Sequence, residues 1–309
     1  MTLCGARGAS TRGAPWYTGV VAKAEDNVVT EPAPGAPIAK PRRVWPAWLV
    51  EIGRSVIAIP LRFFSEIGML AGLLGQTIFW GIRPPYRFAL LIAALEFVGV
   101  QSLFIVGLTG LFIGMVFGIQ LVDGFRQFGA ENQAGPVVGM ALTRELAPVF
   151  ASLMVSARAG SAMSTELGSM RVTDQIDALT TMAVNPIQYL VVPRIIAGAV
   201  MVPLLTMLFN LVGIFGAWLV CVQILGLDPG VFTENVKWIV DAKDVTQGLV
   251  KAVFFGFTVT LIACRHGFYA KGGAAGVGQA TTSAVVQSAV SILVLDYLIT
   301  AIITGQGGL

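Results

Sequence analysis

The sequence predicts an all-α integral membrane protein with an N-terminal interfacial helix, five transmembrane helices and a short cytoplasmic helix between the second and third spans. Its composition is the first observation that predicts this fold class. The 309 residues are 55% hydrophobic and only 12% charged, whereas soluble domains carry about 25% charged residues. The second observation is that the apolar residues are collected in long runs. Within lipid such runs form helices, because a helix satisfies its own backbone polar groups.

The residues before the first predicted span divide into two parts. Residues 1–44 are rich in Ala, Gly, Pro and Thr, and we expect a disordered cytoplasmic extension because they cannot bury enough apolar surface to offset their ordering entropy. Residues 45–82 are apolar but interrupted by Pro60, and the uninterrupted part, Ile67–Trp80, is shorter than the roughly 20 residues that cross a bilayer. We expect an interfacial elbow helix there. A spanning helix from about Phe63 to Ile82, which would move the N-terminus across the membrane, is the alternative.

Residues 83–309 form the predicted transmembrane domain, in which polar loops separate five apolar runs. The runs cover approximately Phe88–Leu121, Val137–Met163, Leu190–Leu225, Leu249–Cys264 and Ala280–Ile303. Basic residues gather at alternate span ends, which identifies the cytoplasmic side. They are Arg83, Arg87, Arg158, Arg171, Arg194, Arg265 and Lys271. The N-terminus and the segment Glu166–Tyr189 are therefore expected to be cytoplasmic.

Several classes of function find no support in the sequence. The cysteines Cys4, Cys221 and Cys264 form no disulfide or metal-binding pattern, and the single histidine, His266, has no companion ligand. The formal net charge of +3 gives no indication of nucleic-acid binding. The glycine-rich run from Lys271 to Gln279 lacks the Lys and Ser/Thr of a phosphate loop, so we expect a flexible hinge between the last two spans. We predict no catalytic residue, metal or cofactor.

The first span combines a glycine stripe with an apolar ridge. Gly110, Gly114 and Gly118 recur every four residues and leave one helix face bare, so another helix can approach closely. Plain helix packing is the simplest interpretation of the stripe. The ridge follows helical spacing past the expected membrane edge and comprises Phe117, Leu121, Phe125 and Phe128. It is either part of the core or the wall of a cavity that accepts lipid, because an apolar ridge facing water would be unfavourable.

Two residues of opposite charge, Arg144 and Glu145, lie inside the second apolar run. Charged groups at this depth cost on the order of 3 kcal/mol and are usually paired or face a polar cavity. The pair is either a site for a polar head group or a gate, or it is a structural ion pair between helices. Nearby Pro148 removes a backbone hydrogen bond and loosens the helix. Glu96 and Asp296 could relay protons in an ion-coupled carrier, although no second basic residue lies one turn from Asp296.

The polar stretch between the second and third spans carries the signals of a short amphipathic helix. Thr173 is a favourable N-cap, and Asp174 and Asp177 lie in the first turn, where the helix dipole favours anions. The apolar face is formed by Ile176, Leu179 and Ala183. A helix of roughly ten residues is marginal alone in water, so we expect it to dock on another surface. An ordinary surface loop is the alternative. With the charged pair inside the second span, such a helix indicates a transport protein driven from outside the bilayer.

Four motifs, in the right order, resemble those of the MlaE/YrbE family, the permease subunits of bacterial ABC transporters that work with MCE-domain proteins. They are RELAPV (Arg144–Val149), ARAGSAMSTELGSMRVTDQIDAL (Ala157–Leu179), NPIQYLVVPR (Asn185–Arg194) and GFYAKGGAAGVGQATTSAVV (Gly267–Val286). The resemblance implies a homodimeric permease in the bacterial inner membrane, cytoplasmic ABC ATPase subunits that bind the ATP, and a periplasmic ring of MCE subunits. The implied cargo is phospholipid or another hydrophobic molecule.

The resemblance also implies roles for individual residues. The family's coupling segment, which receives the movement of the ATPase, falls on Glu166, Arg171, Thr173, Asp174, Gln175, Asp177 and Leu179. The lipid cavity of the family falls on Arg144 and Glu145 together with the ridge Phe117, Leu121, Phe125 and Phe128. An ion-coupled secondary transporter using Glu96, Glu145 and Asp296 is the main alternative. A lipid-modifying membrane enzyme is a third, although no paired His or Asp motif appears at the interface.

Overall fold

The computed structural model describes residues 68–81, 83 and 87–306, and these residues form a helical bundle with no β-strand in those ranges. They belong to one compact unit of the chain, Pro60–Leu309. The expected disordered extension, residues 1–44, and the elbow-helix residues up to 67 lie outside the described residues.

The helices follow one another through short turns. In chain order they are α1 (68–81), α2 (Phe88–Val98), α3 (Leu103–Arg126), α4 (Ala134–Ala141), α5 (Ala147–Val155), α6 (Ser161–Val172), α7 (Gln175–Thr181), α8 (Val192–Trp218), α9 (Pro229–Ile239), α10 (Ala242–Phe268) and α11 (Gly273–Gln306). Wide π-helical turns continue several of them at Leu142–Leu146, Ser156–Gly160, Ile187–Val191 and Leu219–Ile224.

Five stretches of the described chain are long and apolar enough to cross a membrane, which confirms the predicted fold class. They are span 1 (Phe88–Arg126), span 2 (Glu131–Val172), span 3 (Ile187–Ile224), span 4 (Ala242–Phe268) and span 5 (Gly273–Ile303). Spans 2 and 4 end, and spans 1, 3 and 5 begin, at the end of the bundle that carries α7. We call this the basic end; it is the end predicted to be cytoplasmic.

Span 3 is the central element of the bundle, because α8 packs against α2, α3, α5 and α10. Its buried face includes Val202, Leu205 and Phe209, and the ring of Phe209 stacks on that of Phe150 with centroids 6.4 Å apart. Span 5 is peripheral, since only 11% of its most apolar window is buried within the chain. The apolar residues of α11 therefore face outward, to lipid or to another subunit.

Helix α1 packs at the basic end of the bundle. Its Leu73 is buried in a cluster with Leu167, Ile176, Leu190 and Leu261, which lie near the ends of α6, α7, span 3 and span 4. The described part of this helix therefore covers span ends, the position that an interfacial helix requires.

The prediction of Thr173 as an N-cap was wrong. Helix α6 continues without a break from span 2, and Thr173 is its C-cap residue, whose hydroxyl donates to the Ser169 carbonyl oxygen at 2.9 Å. The N-cap of α7 is Asp174, which adopts φ 56° and makes no side-chain capping hydrogen bond. The helix is also shorter than predicted, with 7 residues. Ala183 lies beyond it, exposed, so the apolar face consists of Ile176 and Leu179.

The prediction of a flexible hinge over Lys271–Gln279 was also wrong. Helix α11 begins at Gly273, so the link between spans 4 and 5 is reduced to a tight turn. Gly272 and Gly273 have φ values of 93° and 68°, a backbone that favours glycine and reverses the chain. A Cβ at Gly276 would clash with the Lys271 carbonyl oxygen, so glycine lets the first turn of α11 fold back on this link.

Candidate functional site

Two ion pairs connect span 2 to span 4 inside the bundle. An Arg144 Nη atom lies 2.7 Å from Asp244 Oδ1. Glu145 Oε2 lies 2.5 Å from Lys251 Nζ. Arg144 and Glu145 are thus directed to different partners, seven residues and about two turns apart on α10. Spans 2 and 4 run in the same direction, so the order of the two pairs along both helices is the same.

Lys251 is the centre of the larger cluster and joins three spans. It is fully buried, and its ammonium donates to Glu145, to Asp296 Oδ1 at 3.0 Å and to Thr300 Oγ1 at 2.7 Å. An ammonium has three protons to donate, and all three are used. Asp296 therefore does have a basic partner, but on span 4 rather than on its own span.

The backbone of both helices brings these charges together. Pro148 has no N–H to donate to the Arg144 carbonyl oxygen, and the chain widens into the π turn Leu142–Leu146 at this point. On α10, Gly248 lies against this turn, where a Cβ would clash with the Thr143 carbonyl oxygen. The close backbone approach at Gly248 brings its neighbours on the same face, Asp244 and Lys251, within reach of span 2.

Sequence reasoning missed the partners Asp244, Lys251 and Thr300. Lys251 is a charged residue inside the apolar run that predicts span 4, and this was the available signal. Asp244 precedes the apolar run Leu249–Cys264 that predicts span 4, but it lies in the first turn of α10 and also accepts a hydrogen bond from the Asp241 N–H at 3.2 Å. The spacing Asp244, Gly248, Lys251 places all three on one helix face.

The glycine stripe of span 1 lies against span 3. A Cβ at Gly110 would lie 3.2 Å from Phe209, and one at Gly114 would clash with the Gly213 carbonyl oxygen. At Gly118 the nearest atom is Cys221 Sγ, 3.1 Å from the added Cβ. The stripe therefore permits backbone contact between α3 and span 3 within one chain.

The apolar ridge of span 1 is divided by the fold. Phe117 and Leu121 pack against the main core, and Phe125 packs against the smaller cluster that contains Val122 and Phe232. Phe128 lies beyond the end of α3 and is 83% exposed. One end of the ridge is thus part of the core, and the other end presents a large apolar side chain to the outside of this chain.

The predicted coupling segment is a bracket between spans 2 and 3. Glu166 pairs with Arg194 at 2.8 Å, which joins the end of span 2 to the beginning of span 3. Helix α7 is attached by its buried Ile176 and partly buried Leu179, and Arg171 pairs with Asp177 at 2.6 Å on the exposed side. The remaining residues of the segment, Thr173, Asp174 and Gln175, are exposed. An external contact on α7 would therefore act on both spans.

Within the part of the chain that the structure describes, no group of three or more His, Cys, Asp or Glu residues could hold a metal ion. Cys221 and Cys264 are buried free thiols in spans 3 and 4.

A helical bundle with five apolar spans, an ionic cluster inside it and a helical bracket at one end defines a multi-pass membrane protein. Comparison with known proteins agrees. Residues 91–302 match the family model described as Permease MlaE. A probable ABC transporter permease protein of Rickettsia felis is 41% identical over 252 residues, 82% of this chain and 97% of that protein.

More distant relatives extend the comparison. The intermembrane phospholipid transport system permease protein MlaE of Haemophilus influenzae is 38% identical over 260 residues, 83% of this chain and 97% of that protein. The chloroplastic protein TRIGALACTOSYLDIACYLGLYCEROL 1 of Arabidopsis thaliana is 34% identical over 227 residues, 74% of this chain and 65% of that protein. The chain belongs to the MlaE permease family, which confirms the resemblance read from its motifs. It is a transporter component rather than a catalytic enzyme.

Proposed function

We propose that this chain is the membrane subunit of an ATP-driven transporter that moves phospholipid, or a similar hydrophobic molecule, between the inner membrane and the outer envelope. Two copies of the chain form the permease, with their N-termini in the cytoplasm. Separate ABC ATPase subunits bind the ATP, and a ring of MCE subunits receives or delivers the lipid on the periplasmic side. The names of the relatives support this proposal, since one is an intermembrane phospholipid transport permease and others are ABC transporter permeases.

The observation that carries the proposal is the bracket at the basic end. Helix α7 is too short to be stable alone and is fixed by Ile176, by Leu179 and by its short connections to α6 and span 3. Its outer surface is polar and exposed, which suits contact with a soluble protein. Because Glu166 and Arg194 join the two spans beside it, a force on α7 is passed to spans 2 and 3 together.

Movement of these spans would reach the lipid path through two features. Span 2 carries Arg144 and Glu145 toward its other end, and span 3 packs directly on the glycine stripe of span 1. Span 1 presents Phe128 outward, toward a cavity that we place between the two copies. When the two ATPase subunits close on ATP, the apolar ridges of the two permease copies would thus change their distance from one another. This change would displace an apolar cargo from between them.

The coupling role of α7 can be tested by charge reversal. Both Asp174 and Asp177 are exposed, so the variant D174K/D177K is expected to fold and dimerise while losing the contact with the ATPase. ATP-dependent transfer of labelled phospholipid in vesicles containing all subunits is expected to fall at least tenfold, a loss of about 1.4 kcal/mol in the coupling contact. Less ATPase should copurify with the variant.

The matched control reverses two exposed acidic residues at the opposite end, D123K/E234K, and keeps ATPase binding. Normal ATP-dependent transport by D174K/D177K, with full ATPase copurification, would remove the basis for coupling through α7.

An ion-coupled secondary transporter is the second candidate, because the ionic cluster contains three carboxylates and two cations. Glu96 lies apart from it, exposed on α2. Under our proposal, collapse of the proton gradient at constant ATP leaves transport unchanged. Loss of transport in that experiment, or full transport in vesicles with no ATPase, would favour the ion-coupled alternative.

A further inference from the structure

An open groove lies at the basic end, between α1 and the first turns of spans 1 and 3. It is distant along the chain from the ionic cluster around Lys251, and none of the site residues predicted from the sequence lines it. The polar part of the lining is formed by Arg83, Arg87, Asn185, Gln188 and Tyr189. The apolar part includes Phe88, Leu91, Val192 and Ile196.

The groove has a strong positive bias. Two guanidinium groups line it, and no acidic residue is among its described lining residues. Arg126, Arg144, Arg171 and Arg194 each pair with a carboxylate, whereas Arg83 and Arg87 form no ion pair with any carboxylate in the described ranges. Two cations that line one groove without a carboxylate among its described lining residues are an arrangement expected of an anion site.

Aromatic rings hold both guanidinium groups in place. Arg83 lies over the ring of Phe79 at 4.1 Å, and Arg87 lies over the ring of Tyr189 at 4.8 Å. A guanidinium stacked on a ring keeps its N–H groups free to donate in its own plane. The Gln188 side chain donates to the Arg83 carbonyl oxygen at 2.7 Å, which ties the groove rim to the beginning of span 3. The donors are therefore positioned before any anion arrives.

The apolar half of the groove identifies the source of the anion. Phe88, the first residue of span 1, is 70% exposed, and Ile196, within the first three turns of span 3, is 42% exposed. Exposed apolar side chains and two arginines that line the same groove match a molecule with an anionic head and an apolar tail. A free phosphate ion would use only the polar lining of such a groove.

We propose that this groove binds the phosphate head group of an anionic glycerophospholipid from the cytoplasmic leaflet, with its acyl chains along α2 and α8. The bound lipid would stabilise the position of α7, because Val184 and Asn185, which line the groove, lie in the short connection that follows this helix. This proposal is tested separately from ATP-driven transport, because lipid binding is measured without nucleotide.

The test compares lipid retention by the wild-type protein and by R83Q/R87Q, both purified from membranes and placed in phosphatidylcholine nanodiscs with a small share of phosphatidylglycerol. Retained lipid is counted by native mass spectrometry. The variant is expected to bind phosphatidylglycerol about 30-fold more weakly, the product of about fivefold for each basic side chain near an anionic lipid. The conservative variant R83K/R87K should retain most of the binding.

Three controls make the result decisive. R126Q removes an exposed arginine at the opposite end and should leave binding unchanged. Thermal unfolding of R83Q/R87Q should match that of the wild type. If it does not, lipid retention is compared between R83K/R87K, which keeps both charges, and Y189L, which removes the ring under Arg87. Glycerol 3-phosphate added in excess should fail to displace the lipid. Equal retention by R83Q/R87Q, or displacement of the lipid by glycerol 3-phosphate, would each overturn the proposal.

Discussion

The contact between spans 1 and 3 and the contact among spans 2, 4 and 5 hold helices together in opposite ways. The first has no side chain at its centre, because Gly114 lies directly on the backbone of Gly213. The second has Lys251 at its centre, with a carboxylate on each of two neighbouring spans. Helices in lipid gain little from apolar burial alone, so close van der Waals contact and polar contacts are the means available.

The two contacts also differ in how they fail. A glycine contact is disrupted by any added atom, and the damage is steric. An ionic contact is disrupted by any removed charge, because the remaining partners stay buried without compensation. The following changes separate these two mechanisms, in order of expected effect on stability.

Removal of the central cation should have the largest effect. K251M leaves the carboxylates of Glu145 and Asp296 without their cation. Breaking a buried ion pair costs about 3–5 kcal/mol, and because these carboxylates are 40% and 22% exposed we expect about 3 kcal/mol, the lower end of that range. We expect a large fall in the thermal unfolding midpoint in detergent, measured by intrinsic fluorescence, and a low yield of dimer.

K243M provides the control, because Lys243 lies on the same helix but is exposed. The triple variant K251M/E145Q/D296N removes all three charges and should recover most of the lost stability. If the triple variant were no more stable than K251M, the loss would come from packing rather than from uncompensated charge.

The glycine contact should show the next largest effect. In G114A the added methyl group has no space beside Gly213, and forcing helices apart typically costs about 1–3 kcal/mol. G124A in the same helix has no atom within 4 Å of the added Cβ and should be neutral or slightly stabilising, because Ala is the better helix former. Equal unfolding midpoints for the two variants would show that α3 is not in backbone contact with span 3.

The Arg144–Asp244 pair should contribute less than the Lys251 cluster. Its arginine side chain is 42% exposed, and Asp244 keeps its hydrogen bond from the Asp241 N–H. The Nε and an Nη atom of Arg144 both contact Asp244 Oδ1, at 2.8 and 2.7 Å. We expect R144Q to cost about 1.5 kcal/mol, the lower end of the range for hydrogen bonds to charged groups. A double-mutant cycle with D244N should return a coupling energy of similar size; a coupling near zero would mean that the two side chains act independently.

The smallest effect on stability is expected at the surface of the bracket. Arg171 and Asp177 are both exposed, and such ion pairs contribute about 0.5 kcal/mol or less. R171Q/D177N should therefore lower the unfolding temperature only slightly, and this small difference from the wild type should disappear in high salt. A large destabilisation would show that this pair anchors α7, a role that we assign to Ile176 and Leu179.

The features that sequence could predict are those encoded within one stretch of chain. The five spans follow from apolar runs, and the glycine stripe follows from a four-residue spacing. The partners of Arg144 and Glu145 lie 100 and 106 residues away, so no local pattern indicates them. The N-cap prediction for Thr173 was wrong because α6 extends beyond the apolar run and ends at Thr173. A threonine between two helices can bond to the backbone of either one, and sequence alone does not indicate which.

Span 2 links the ionic cluster to the bracket through a single helix that contains two wide turns, Leu142–Leu146 and Ser156–Gly160. A wide turn holds one residue more than an ordinary helical turn. Its conversion to α geometry would rotate everything beyond it by about 100° while leaving the rest of the helix intact. The two wide turns therefore allow span 2 to rotate about its own axis in segments. Rotation of the segment next to the bracket would reorient the charged groups of the ionic cluster near the opposite end.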